Sequence, residues 1–137
     1  MPLKKDRGII DTNLWISFLL TKNLAKIDTL FKENRVVLLF SQELLDEFIE
    51  VAERSKFSNY FSSEDLQNSL SKIRAKSEFI KVKSTIDLCR DIKDNFLVAL
   101  ANDGKATHLI TGDKELLVLK TMNETEILTM SSYLASK

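Results

Sequence analysis

Four acidic residues occupy positions from which their side chains can meet. Asp11 closes the apolar run Gly8-Ile9-Ile10, and Asp113 follows His108-Leu109-Ile110-Thr111 through Gly112. Asp94 opens the run from Asn95 to Asn102, and Glu47 lies beside the apolar stripe of Leu44, Leu45, Phe48, Ile49 and Ala52. Carboxylates gathered in one pocket are hard oxygen donors of the kind that suits magnesium or manganese. They repel one another, and a cation relieves the repulsion. With one histidine and one cysteine, the chain holds no cluster suited to zinc.

Each acid also has a purely structural reading. At about 100° per residue, Leu44, Leu45, Phe48 and Ala52 span an arc of roughly 100°, and Glu47 lies about 60° outside it. Glu43, Asp46, Glu50 and Glu53 lie further round, so Glu47 is the acid nearest the core face, where a boundary salt bridge would serve equally well. Asp94 reads as the N-cap of the helix that follows, a role contributing about 0.5–2 kcal/mol. Asp91, one turn earlier, reads as a turn residue or an outer acid, and Gly112-Asp113 as a turn. His108, within a strand, is expected to be buried against the sheet rather than to act chemically.

The elements that must position these acids alternate in type. Gly8 to Ile10 predicts a short strand, and Asn23 to Lys32 places Leu24, Ile27, Leu30 and Phe31 at helical spacing. Val36 to Phe40 is apolar throughout, as a strand covered on both faces would be. Ser41 is placed to cap the helix carrying Glu47, and Ser62-Ser63-Glu64-Asp65 forms a capping box for the next. Phe79 to Val82 is a strand or a helix end. Asp94 caps a helix stopped by Gly104, His108 to Thr111 is a strand, and a short helix surrounds Leu116 to Leu119. Glu126 to Leu128 adds a strand before Met130 to Ala135. Alternating strands and helices predict a three-layer α/β/α fold with a central, mainly parallel sheet and right-handed crossovers. Ligands in such sheets sit beyond the carboxyl ends of the strands, which is where Asp11 and Asp113 fall.

The bulk properties bound the class. The chain has 137 residues, 44% hydrophobic and 29% charged, with three glycines and one proline; this fits one globular domain over 1–137. Twenty basic residues balance twenty acidic ones, so no overall positive charge announces a nucleic-acid partner, although bound cations would supply local charge. Cys89 has no partner for an internal disulfide. No apolar segment follows the basic start and no run approaches membrane-spanning length, so a cytoplasmic, membrane-free protein is expected.

Four segments together carry a resemblance. Ile9-Ile10-Asp11-Thr12-Asn13 is similar to the opening of PIN-domain proteins, and Glu47 within Glu43-Leu-Leu-Asp-Glu-Phe-Ile-Glu-Val resembles their second acidic position. Asp91-Ile-Lys-Asp-Asn-Phe-Leu-Val-Ala-Leu-Ala resembles the third block, with Asp94 in the acidic place. Ala106-Thr-His-Leu-Ile-Thr-Gly-Asp-Lys-Glu-Leu-Leu resembles the fourth, with Thr111 and Asp113 as its marked residues. Order and spacing agree over nearly the whole chain, and the last two blocks are specific. The branch most resembled is that of bacterial toxins in toxin–antitoxin pairs. The chain departs at Ile92, where relatives often carry proline, and this bears on the preceding turn rather than on the acids.

The resemblance implies a PIN-like endoribonuclease hydrolysing RNA with one or two Mg²⁺ or Mn²⁺ ions, with Asp11, Glu47, Asp94 and Asp113 as catalytic and metal residues. Thr12, Asn13, Asp91 and Thr111 would orient those acids or touch a phosphate. Lys114, Lys22 and Lys105 are candidates for the nucleic-acid backbone, though each also reads as a solvated lysine. A small antitoxin is a candidate partner, with Phe57, Tyr60 and Phe61 as candidate contacts unless those rings fill the core or a homodimer contact, and a homodimer is a further candidate. The competing classes are an inactive PIN-like fold binding nucleic acid or protein and a phosphoacceptor receiver-like domain. The latter wants a second acid beside Asp11, which is absent. An aspartate-nucleophile phosphatase wants Asp-x-Asp, and Asn13 stands there instead.

Overall fold

The computed structural model describes residues 5–21, 36–54 and 60–136. The helix expected over Asn23 to Lys32, together with Lys22 and Phe57, lies outside these residues. Among the described residues, six strands form one sheet: β1 (Asp6–Ile10), β2 (Val36–Phe40), β3 (Ser77–Phe79), β4 (His108–Ile110), β5 (Thr121–Met122) and β6 (Thr125–Leu128). Their order is β3-β2-β1-β4-β6-β5, parallel throughout except for the β5–β6 hairpin. The helices described are α1 (Thr12–Thr21), α2 (Gln42–Ala52), α3 (Ser63–Lys76), α4 (Ile92–Gly104), α5 (Lys114–Leu117) and α6 (Met130–Ala135). The fold is the expected three-layer α/β/α arrangement around a mostly parallel sheet. Among the described residues, no helix is long and apolar enough to cross a membrane.

Central strands are apolar because both faces are covered: Ile9, Leu39, Phe40 and Leu109 are fully buried. Trp15 of α1 packs at a tilt against Phe40 and Phe48 at centroid distances of 5.9 and 6.2 Å, locking α1 and α2 over β2. Ser41 caps α2 by accepting the Leu44 N–H at 3.0 Å. Ser62 and Asp65 close the capping box of α3 at 3.0 and 3.2 Å.

Several boundaries differ from the sequence reading. Asp94 does not cap the fourth helix. Asp91 does, accepting the Lys93 N–H at 2.8 Å, so α4 starts at Ile92 and Asp94 lies inside its first turn. Gly104 does not end that helix by a left-handed turn; Lys105 adopts it, at φ 52°. Gly104 serves a different need, since a Cβ there would sit 3.0 Å from Leu39 Cδ1 and 3.2 Å from Ile80 Cγ1. The short helix begins at Lys114 rather than near Leu116, because Asp113 caps it. The segment left open around Phe79 is the end of β3, extended by the Ile80 N–H bonding Phe40 O at 2.7 Å.

The close approach at Gly104 and the strained backbone at Lys105 predict opposite responses. Gly104→Val should lower the unfolding free energy by about 1–3 kcal/mol through overpacking. Lys105→Gly should raise it by about 0.5–1 kcal/mol by relieving the left-handed conformation. Denaturant unfolding of both variants measures the difference.

Candidate functional site

The chain begins its sheet in the middle, at β1, adds β2 and β3 on one side, then crosses to add β4 on the other. The carboxyl ends of β1 and β4 therefore flank a switch point, where helices leave toward opposite sides and a crevice opens. Asp11 follows β1 directly, and its N–H bonds Ile110 O at 2.9 Å, so the two strand ends are held together at this place. Asp11 Oδ1 accepts the Asn13 N–H at 3.2 Å, and Oδ2 accepts the Thr111 hydroxyl at 2.8 Å. The same hydroxyl accepts the Asp113 N–H at 3.0 Å. Thr111, fully buried, thus fixes one acid through its side chain and the other through its backbone.

Asp94 reaches this point from the first turn of α4 and is only 5% exposed. Its Oδ2 is buried and has no hydrogen-bond partner. Burial, then the hydrogen bond and charge of Asp113, then the charges of Asp91 and Asp11, push its carboxyl up to about 7. Asp113 turns Oδ1 to the Glu115 N–H at 2.9 Å as the cap of α5. Glu47 approaches from mid-α2, where its Oε1 pairs with Lys93 Nζ at 3.1 Å. Asp11, Glu47, Asp94 and Asp113 all line one cleft of about 230 Å³, together with Arg54 and Lys93.

Among the described residues, no three His, Cys, Asp or Glu side chains close into a preformed metal cage. The donors nevertheless suit a hard divalent cation that keeps much of its water: four carboxylates, one with an unpartnered buried oxygen and a raised proton affinity. Thr12 is buried at the cleft wall, and Asn13 lies there too, exposed. Asp91 combines its capping role with a place on the cleft.

The turn before α4 is built without proline. Asn95 Oδ1 accepts the Leu88 and Cys89 N–H groups at 2.9 and 2.7 Å, and Nδ2 donates to Cys89 O at 2.9 Å. Ile92 is the first helical residue, a position that accepts proline readily but does not require it. Lys105 lies at the other end of α4 from Asp94, roughly 16 Å along the axis, and takes no part in the cleft. Lys93 and Arg54 do, and the sequence reading did not single out either. His108 is largely buried, edge-on to Tyr133 at 4.9 Å and flanked by Asp6 and Glu126. Tyr60 is exposed, while Phe61 packs partly against the core. Leu88 and Ile92 are further exposed apolar groups, in and just after that turn.

The mostly parallel sheet thus carries a carboxylate-lined cleft at its switch point. The PIN-domain family model matches residues 7–115, and the chain belongs to the PIN-domain family. No curated protein and no solved structure gives a match. PIN domains are generally nucleases, and those nucleases generally use divalent metals.

The elevated proton affinity of Asp94 has a consequence for the metal-free protein. Its folded pKa of about 7 lies above the ordinary 3.8, so between these values the folded state holds more protons than the unfolded one. Stability from this group is therefore full below about pH 4 and falls as pH rises through 7. With a chelator present, Asp94→Asn should remove that part of the decline, measured as Tm against pH from 4 to 8.

Proposed function

We propose that this protein is a metal-dependent endoribonuclease, the toxin of a toxin–antitoxin pair acting in the cytoplasm. The observation that carries the nuclease reading is the convergence of Asp11, Glu47, Asp94 and Asp113 on one cleft at the switch point. The RNA substrate and the toxin role are supported by the resemblance of the four sequence blocks, and the reducing compartment by the single cysteine.

Asp11, Asp94 and Asp113 would hold one or two Mg²⁺ or Mn²⁺ ions, with Glu47 as a fourth ligand. Bound there, the cation supplies Lewis acidity toward a phosphodiester and a water of lowered pKa. The remaining work falls to the protein. Thr111 holds the Asp11 carboxylate and the Asp113 backbone in fixed relation, so the two acids are positioned before the ligand arrives. Asp94 would release its proton to solvent when a cation engages it, the metal's charge then compensating a carboxylate that burial otherwise disfavours. Thr12 and Asn13 border the cleft where a phosphate would lie.

Asp11→Asn or Asp113→Asn keeps side-chain shape and removes one ligand charge. Each should lower metal-dependent cleavage of a panel of RNAs by at least about 10²-fold at limiting metal, while circular dichroism stays unchanged. Full activity in both variants removes the mechanism; absence of cleavage by the parent with any RNA and either metal leaves a binding module.

An antitoxin would block the cleft by bringing an arginine, whose planar fork matches two carboxylate oxygens. Exposed Tyr60, Leu88 and Ile92 are candidate apolar contacts for it, and a homodimer is a second candidate use of such residues. Expression of the chain alone should slow growth, and co-expression of the adjacent small reading frame should restore it with the two products co-purifying. Equal growth in both cases, with no co-purifying protein, removes the toxin role and leaves the nuclease reading standing.

A further inference from the structure

Lys93 is an odd residue for its place. It lies in the first turn of α4, where the helix macrodipole disfavours a positive charge. Its backbone N–H is fixed by the Asp91 cap at 2.8 Å, so the side chain alone is free to choose a partner. That partner is Glu47, at 3.1 Å across the cleft mouth, with the lysine side chain 59% and the glutamate 26% exposed. A pair so open to water is weak and readily exchanged. Glu47 is also the one acid of the four that lies in the middle of its helix. Arg54, just past the end of α2, brings a second cationic side chain to the same cleft.

We propose that Lys93 is a displaceable counter-cation: it neutralises Glu47 in the metal-free protein and, once Glu47 turns to a metal, moves to a backbone phosphate of the bound nucleic acid beside Arg54. This rests on reading the cleft as a site for a divalent cation and a phosphodiester. Lys93 is here a positioning residue for the nucleic-acid chain. The exchange links the two ligands, because metal binding frees a cation for the phosphate and phosphate binding removes a competitor for Glu47. The charge at the cleft mouth is kept near balance in both states, so neither a stripped acidic pocket nor an unpaired ammonium is exposed for long.

The test compares the parent with Lys93→Met and Lys93→Arg. Calorimetric titration with Mn²⁺ should show binding about two- to tenfold tighter in Lys93→Met, because a competitor for Glu47 is gone. Binding of a single-stranded RNA oligonucleotide should be followed against salt, with EDTA and then with saturating Ca²⁺. In EDTA the slope of log affinity against log salt should match between parent and Lys93→Met, since Lys93 is tied to Glu47. In Ca²⁺ the Lys93→Met slope should be shallower by about 0.7, the counterion release of one phosphate contact on a single strand. Lys93→Arg should restore the parent slope. In a Glu47→Gln background, Lys93→Met should no longer tighten Mn²⁺ binding. Unchanged or weaker Mn²⁺ binding, or equal slopes in Ca²⁺, overturns the exchange and reduces the pair to a surface ion pair. These readouts are independent of cleavage. Both shifts in a protein that cleaves no RNA would sink the nuclease reading alone; cleavage by the parent with neither shift would sink this inference alone.

Discussion

Carboxylates sharing one cleft raise one another's free energy, and the arrangement around it follows from having to hold four of them there, Asp11 and Asp94 buried, Glu47 and Asp113 half-buried. Three solutions are visible, and each is local. Asp11 precedes α1, Asp94 lies in the first turn of α4, and Asp113 caps α5, so each of these charges faces the positive end of a helix or its free N–H groups. Thr111 donates its hydroxyl to the Asp11 carboxylate and accepts the backbone N–H of Asp113, stabilising one charge and fixing the place of the other with a single small side chain. Glu47, in mid-helix, has neither device and takes the ammonium of Lys93 instead. What none of these satisfies is Asp94 Oδ2, and the residual cost appears as a carboxyl that keeps its proton to about pH 7.

The topology makes the crowding unavoidable. A chain that lays down β1 first and builds outward on both sides leaves the ends of β1 and β4 adjacent, with helices departing from each. The register pairs Ile10 with Ile110, so the residues that follow, Asp11 and Thr111, are neighbours by construction. Parallel pairing also sends every helix N-terminus that follows a strand to this same rim. The acids and the groups that make them tolerable thus share one cause.

Much of this was legible in the sequence because the signals were short-range. Ser41, and Ser62 with Asp65, cap the helices they precede by bonds three residues long, and such bonds can be read from spacing. The apolar run from Val36 to Phe40 could only be a covered strand. Asp91 and Asp94 were harder, since both are capping residues three apart and sequence does not say which caps. The answer depends on Asn95 clasping the Leu88 and Cys89 backbone, which sets where α4 starts. α1 carries apolar residues around most of its girth, so no stripe announces it, and its packing partner Phe40 lies far along the chain. The two-residue β5 exists only by pairing with β6. Lys93 was invisible as a site residue for a similar reason: its meaning comes from Glu47, forty-six positions earlier.

The two ends of α4 show how one helix holds opposite electrostatic situations. Asp94 and Asp103 are the same residue type on the same helix, yet the first is pushed up to about 7 and the second held down at about 2. Asp103 receives the Ser84 hydroxyl and the Ser84 and Lys83 N–H groups, donors that favour its charge, in a place open to water. Asp94 has burial and other carboxylates for neighbours. The Asp103 clasp ties the chain after β3 to the last turn of α4, while Gly104 lets that turn close on Leu39 and Ile80. With its C-terminal end anchored by satisfied polar groups and close packing, the helix can carry an unsatisfied acid at its N-terminal end without moving away from Asp11 and Asp113. A looser helix would relieve the repulsion by a small shift, and the cleft would lose the arrangement that makes it a site.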